Sequence, residues 1–298
     1  MATLYTEADK NVRKTWILMT GFFIVVIAVG WVMSYALNNQ GILYAAVALS
    51  ILMNVGSYWY SDKLALATSG AKHVDKVDAP ELYNLVENLC IAQGMPMPKV
   101  HIINDPAPNA FATGRDPAHG AIAVTTGLLS MMDKSELEGV LAHELSHIKN
   151  RDTLVMTVVV VLLGMVTLLS DFFLRSMVFG GNNENRDGRM QIIFIIAGVA
   201  LAILSPIIAQ LIQLAISRKR EFLADASGAL MTRYPEGLAS ALKKLGSYQG
   251  PMKNANHATA HLFISNPFGS KALKGLGKLF MTHPPMDERV SRLLNPGA

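Results

Sequence analysis

The sequence predicts an α+β soluble domain combined with four transmembrane α-helices, and three observations carry that expectation. Of 298 residues, 51% are hydrophobic and only 16% are charged, against about 25% charged in an average soluble domain. Four apolar runs reach the roughly 20 residues needed to cross a hydrocarbon core of about 30 Å. Amphipathic helical patterns and short β-prone runs, broken by Gly, Pro and Asp, fill the remainder.

The first run covers 16–37, with Trp16, Trp31 and Tyr35 towards its ends. Its basic prelude, Lys10, Arg13 and Lys14, is like a signal-peptide n-region, but the run is too long and a second follows almost at once. A retained signal anchor is expected. Asn38-Asn39-Gln40 makes a turn, and the run 41–60 ends in Tyr58-Trp59-Tyr60 at interface depth. Runs 153–174 and 192–216 form a second hairpin around the Gly/Asn-rich loop 180–189, and Ser205-Pro206 should kink the last span. The chain therefore divides into a tail and first hairpin at 1–60, a soluble segment at 61–152, a second hairpin at 153–216 and a second soluble segment at 217–298. Counting Lys and Arg by compartment gives 23 on one side and 3 on the other. The positive-inside rule then places both termini and both soluble segments in the cytoplasm.

A single cysteine, Cys90, cannot form an internal disulfide, which suits a reducing compartment, and it reads as a small buried hydrophobe. The pI near 9.1 raises the question of nucleic acid, but the basic residues are scattered and no aromatic stacking pattern accompanies them. No nucleic-acid partner is expected; the lipid bilayer is.

Within the first soluble segment, Pro80 opens an amphipathic helix that the Gly94/Pro96/Pro98 breaker ends. The runs 100–103, 110–113 and 121–125 predict a small sheet of hairpins. Ser135-Glu-Leu-Glu138 has the capping-box pattern and opens the next helix, with Leu137, Leu141, Leu145 and Ile148 on one apolar face. After the last span, Arg218 to Leu230 should be helical.

On the capped helix stands His143-Glu144-Leu145-Ser146-His147. Residues i and i+4 share a helix face, so both imidazoles can bind one Zn²⁺ and Glu144 can reach a water beside it. A catalytic zinc also needs a third protein ligand. The candidate is Glu221 in Arg220-Glu-Phe-Leu-Ala-Asp225, 78 residues after His143. That gap closes if 153–216 is a hairpin, because Asp152 and Ser217 then emerge on one membrane face. His257 and His261 repeat the i, i+4 spacing without a neighbouring Glu and read as a polar loop or helix; His73, His101 and His119 read as isolated structural or solvent-facing residues.

H-E-L-S-H, the hairpin, E-F-L-A-D-A, the upstream N-A-F-A-T-G and the downstream T-H-P-P together resemble the HtpX family of membrane zinc endopeptidases. The resemblance covers nearly the whole chain. It implies a zincin-like (gluzincin) metalloprotease domain, related to the type I CAAX prenyl proteases, with one Zn²⁺ per chain. Position by position, it implies His143, His147 and Glu221 as ligands, Glu144 as general base and Asp225 as a carboxylate supporting a ligand. It further implies Asn109, Ala110 and Phe111 as an edge strand that pairs with substrate backbone, and His283 as an oxyanion donor, with Arg289 a weaker candidate. Its setting is the bacterial cytoplasmic (inner) membrane, where misfolded or damaged membrane proteins would be the substrates. Alternatives are a CAAX-type prenyl-protein protease and a non-enzymatic metal-binding assembly factor; oligomeric state is not legible.

Overall fold

In the computed structural model the described residues are 4–36, 38–159, 161–162, 198, 218–256, 259–269 and 284–295. Two helices come first: α1 (Leu4–Ala36) and α2 (Gln40–Thr68). Both are long and apolar enough to cross a membrane, over Ala8–Trp31 and Gln40–Thr68. They extend beyond the expected 16–37 and 41–60, because a helix has no reason to stop hydrogen bonding at the apolar boundary. The turn between them uses Asn38 at φ 48° and Asn39, whose side chain accepts from the Gly41 N–H, two roles asparagine fills readily. Among the described residues these are two spans, not four. The fourth run, the 180–189 loop and Pro206 fall outside the described residues except for residue 198, and of the third run only 153–159 and 161–162 are described, all of them helical.

The soluble part is built around one four-stranded sheet. Strand β1 (Ala71–His73) leads to α3 (Pro80–Gln93), which begins with proline in its first turn and ends at Gly94 in the left-handed conformation. There follow β2 (Lys99–Ile103), β3 (Ala110–Thr113) and β4 (Ala121–Thr125), in spatial order β1-β2-β4-β3. The expected hairpin sheet is corrected here: β3 and β4 are an antiparallel hairpin, but β2 runs parallel to β4. The chain passes outside the position of β4 to lay down β3, then returns into the gap. Gly114 makes the return possible, since at φ 130° a Cβ there would sit 2.5 Å from the His119 carbonyl oxygen.

Short α4 (Thr126–Met131) connects to α5 (Lys134–Lys149), the helix of the H-E-L-S-H motif. Its cap is Asp133, not Ser135. The Asp133 side chain accepts from the Glu136 N–H and the Glu136 carboxylate accepts from the Asp133 N–H. Glu136 also receives Ser240 Oγ at 2.6 Å and Lys244 Nζ at 2.5 Å from α7 (Pro235–Ser247), so the capping frame is chosen by tertiary partners. Helix α6 (Arg218–Thr232) and α8 (Met286–Leu294) complete the domain.

Helix α5 is buried on nearly every side. Leu141 and Leu145 pack in the main core with Val86, Leu89, Ile122, Val124, Leu238 and Leu242. Two glycines set the closeness of its neighbours. A Cβ on Gly139 would lie 2.7 Å from the Leu238 nitrogen of α7, and one on Gly228 of α6 would lie 3.0 Å from the His143 nitrogen. Cys90 is buried in the same core, where desolvation pushes its thiol up to about 11.

Candidate metal centre

His143 and His147 stand one turn apart on α5, and Glu221 reaches them from α6. All three are buried, and their ligand atoms lie within 4.8 Å of one another. The two Nε2 atoms are 3.2 Å apart; Glu221 Oε2 is 3.7 Å from His143 Nε2 and Oε1 is 3.5 Å from His147 Nε2. A tetrahedral zinc with bonds of about 2.0–2.1 Å has ligand–ligand edges of roughly 3.3–3.4 Å. The donor set therefore fits such an ion in size as well as in type.

Each imidazole is oriented from behind. His143 Nδ1 lies 3.0 Å from Asp225 Oδ1, and His147 Nδ1 lies 3.0 Å from Asp152 Oδ2. A Nδ1–H donated to each carboxylate leaves both Nε2 lone pairs facing one place, where a cation can take them, although Arg289 Nη2 also comes within 3.3 Å of His143 Nε2. Asp152 is the functional residue that sequence reasoning passed over, using it only as a landmark for chain exit. The signal was a carboxylate five residues past the second histidine, where the chain has just left α5 and can turn back on it.

Arg289 of α8 is wholly buried beside these groups. It donates from Nε and Nη2 to Asp225 at 2.8 and 2.6 Å, and its Nη1 is 3.7 Å from Glu221 Oε2. The guanidinium thus holds the two α6 carboxylates in place, and it is engaged with them rather than turned towards solvent.

Burial and charge separate the titrations of these groups. Desolvation and the Arg289 charge lower His143 to about 4. For His147, burial opposes protonation, but the Asp152 hydrogen bond and the Glu221 charge outweigh it and raise the group to about 9. Asp225 also resists burial, because Arg289 holds it down at about 2. Glu144 has burial as its largest influence and rises to about 7, the His147 charge acting to lower it, the Glu221 charge to raise it, and a hydrogen bond from the Ala112 N–H favouring the anion.

Asn109, Ala110 and Phe111 lie at the outer edge of the sheet, beside Glu144 through Ala112. That edge is occupied by the chain itself. Phe263 pairs antiparallel with Phe111, the Ile264 N–H donates to the Ala110 carbonyl at 2.9 Å, and the Asn109 side chain bonds both the N–H and the carbonyl of Ser265. His283 and His257 lie outside the described residues. His261 lies in the short helical turn Ala260–Leu262 and is buried, with Nε2 3.1 Å from the Met156 carbonyl. The rings of His73 and His101 lie 5.2 Å apart, and His119 pairs with Asp116 at 2.7 Å, all three outside the metal-binding cluster.

Residues 76–296 match the model of peptidase family M48. The chain is 48% identical to a protein named Protease HtpX homolog from Caldanaerobacter subterraneus subsp. tengcongensis, over 98% of this chain and 97% of that one. It is 46% identical to a Protease HtpX homolog of Pyrococcus furiosus, over 94% of each. Among solved structures it resembles that of S. mikatae Ste24p, with a TM-score of 0.51 and 17% identity, covering 94% of this chain and 66% of that one, slightly under two thirds of its length. This likeness speaks to the fold alone. With its clustered His143, His147 and Glu221, two membrane-length helices and full-length similarity to these proteases, the chain belongs to peptidase family M48.

Proposed function

We propose that this chain is a membrane-anchored zinc endopeptidase that hydrolyses internal peptide bonds of unfolded or damaged membrane proteins at the cytoplasmic face of a bacterial inner membrane. The observation that carries the reading is the cluster of His143, His147 and Glu221, with separations of 3.2–3.7 Å suited to one tetrahedral ion. His143, His147 and Glu221 hold one Zn²⁺, while Asp225 and Asp152 fix the imidazole planes. When bound, the ion supplies a Lewis acid for the scissile carbonyl and lowers the pKa of its water towards about 7.

Glu144 is not in the ligand set. It takes the proton of the attacking water and returns it to the departing amine nitrogen, a shuttle that a carboxylate held near neutral serves well in both directions. His283, which follows 153–282 and precedes Pro284-Pro285, donates to the developing oxyanion. An extended substrate pairs its backbone with β3 along Asn109, Ala110 and Phe111, which requires Ile264 and Ser265 to give way. The excess of Lys and Arg on one side supports cytoplasmic termini, and the hairpin 153–216 completes the anchor.

The test is zinc content together with cleavage of an unfolded reporter. Wild type should carry one zinc and cut; Glu144→Gln should carry zinc and not cut; His147→Ala should do neither. Cleavage by zinc-loaded Glu144→Gln would reject the mechanism, and a lipidated-peptide preference would move the reading to prenyl-protein processing.

A further inference from the structure

A buried polar chain links the first membrane helix to the metal centre. Asn11 of α1 donates from Nδ2 to Asp152 Oδ1 at 2.7 Å and to the Asn150 carbonyl at 3.0 Å. Asp152 presents its other oxygen to His147 Nδ1 at 3.0 Å. Asn11 and Asp152 are each 1% exposed, so neither is bonded to bulk water.

The asparagine is not needed for helix packing. Two to three turns further on, Met19 and Phe22 of α1 pack against Leu154, Val158 and Leu162, and an apolar side chain would continue that seam. A buried amide there is costly unless its polar atoms are used. Both hydrogens of Nδ2 are used while Oδ1 has no hydrogen-bond partner among the described residues, so the amide is held there through its two N–H groups, one of which goes to the carboxylate that orients a metal-binding imidazole. Asp152 needs this partner. With a donor on one oxygen alone, a carboxylate can swing about its terminal bond; with donors on both oxygens from separate elements, its plane is fixed, and so is the ring that donates to it. Arg220 Nε, 3.8 Å from the same Oδ1, adds charge at a longer range than the amide bond.

We propose that Asn11 is a positioning residue of the metal centre, which from the first membrane helix fixes the Asp152 carboxylate that orients His147. The proposal rests on the reading of His147 as a ligand. Its consequence is that the affinity for zinc depends on how α1 is seated against 154–162, and hence on the bilayer around it.

The test uses the full chain in lipid nanodiscs, with zinc affinity measured by chelator competition, the d–d absorption bands of the cobalt-loaded protein, and melting of the metal-free protein. Asn11→Leu should weaken zinc binding about tenfold, the low end of the effect of losing a group that orients a ligating histidine, and should shift the cobalt bands. On an Asp152→Asn background the same substitution should change affinity by less than about twofold, since the intermediary is already gone. Unchanged affinity in Asn11→Leu, or a tenfold loss that persists in full on the Asp152→Asn background, would overturn the proposal. So would a lower melting temperature with metal affinity intact, which is what a merely structural asparagine predicts. Should Asn11→Leu not assemble, Asn11→Asp has nearly the same volume and sets a like charge against Asp152; it should lose at least as much affinity, and retained affinity there overturns the proposal equally. His147→Ala separates the two levels: wild-type affinity in that variant would mean that the ligand assignment fails, whatever Asn11 does.

Discussion

Arg289 and Asp225 form a two-pronged buried ion pair, Nε and Nη2 of the arginine meeting the two carboxylate oxygens at 2.8 and 2.6 Å. Because Asp225 Oδ1 also lies 3.0 Å from His143 Nδ1, the pair connects α8, at the far end of the chain, to the H-E-L-S-H helix. Removing one partner leaves the other charged and buried, which costs about 3–5 kcal/mol. Arg289→Met should therefore lower the stability of the soluble domain by that amount, read as denaturant midpoint at unchanged slope. Arg289→Lys should recover only part of the loss, since an ammonium cannot make the two parallel bonds. Full stability in Arg289→Met would show that the pair contributes nothing net.

The pH dependence follows from Glu144. Burial raises it to about 7, and the charge of a bound cation lowers it again. If Glu144 shuttles the proton as proposed, it starts from the anion, so activity should be absent below its pKa and rise as pH passes through it. The acid limb of kcat/KM should accordingly have its midpoint between the ordinary carboxylate value and about 7. A limb centred near 8 would assign the titration to another group.

Much of this centre was legible because helical periodicity alone places His143 and His147 on one face, and because Glu221 and Asp225 repeat the same spacing on α6. Asp152 was not legible as a partner of His147, since its role depends on the chain turning back after Asn150. The capping frame was misread by two residues because Asp133–Glu136 and Ser135–Glu138 both fit the pattern, and only Ser240 and Lys244, more than 100 residues away, favour the first. The parallel pairing of β2 with β4 was hidden for a similar reason. Local sequence marks strands and breaks, whereas the strand order depends on which edge the chain takes around Gly114.

Close approach between α6 and α5 gives the next prediction. A methyl at residue 228 would stand 3.0 Å from the His143 nitrogen and 3.3 Å from the Ala142 carbonyl carbon, both backbone atoms that cannot rotate away. Gly228→Ala should push α6 outward, and with it Glu221 and Asp225. Overpacking of this kind costs about 1–3 kcal/mol, and zinc affinity should fall together with stability. Gly56→Ala on α2, where nothing lies within 4 Å of the added methyl, is the control and should be near neutral. Equal behaviour of the two would mean that the helix separation does not set the ligand geometry.

The last prediction concerns the edge of β3, where the chain now makes the backbone bonds that an extended substrate would make. If substrate adds there, it competes with Ile264 and Ser265, and loosening that segment should improve binding. Ile264→Pro removes the N–H that donates to the Ala110 carbonyl. One hydrogen bond contributes about 1 kcal/mol, so KM for an extended peptide should fall roughly fivefold, with a larger loss in domain stability because the buried Ile264 side chain leaves the core as well. The substrate can be interrogated from its own side as well. In a paired strand alternate N–H groups face the neighbour, so a series of peptides N-methylated at successive positions should lose kcat/KM with a period of two. Uniform tolerance of N-methylation, with KM unmoved in Ile264→Pro, would remove Asn109, Ala110 and Phe111 from the substrate site and leave 263–265 as a fixed fifth strand of the sheet.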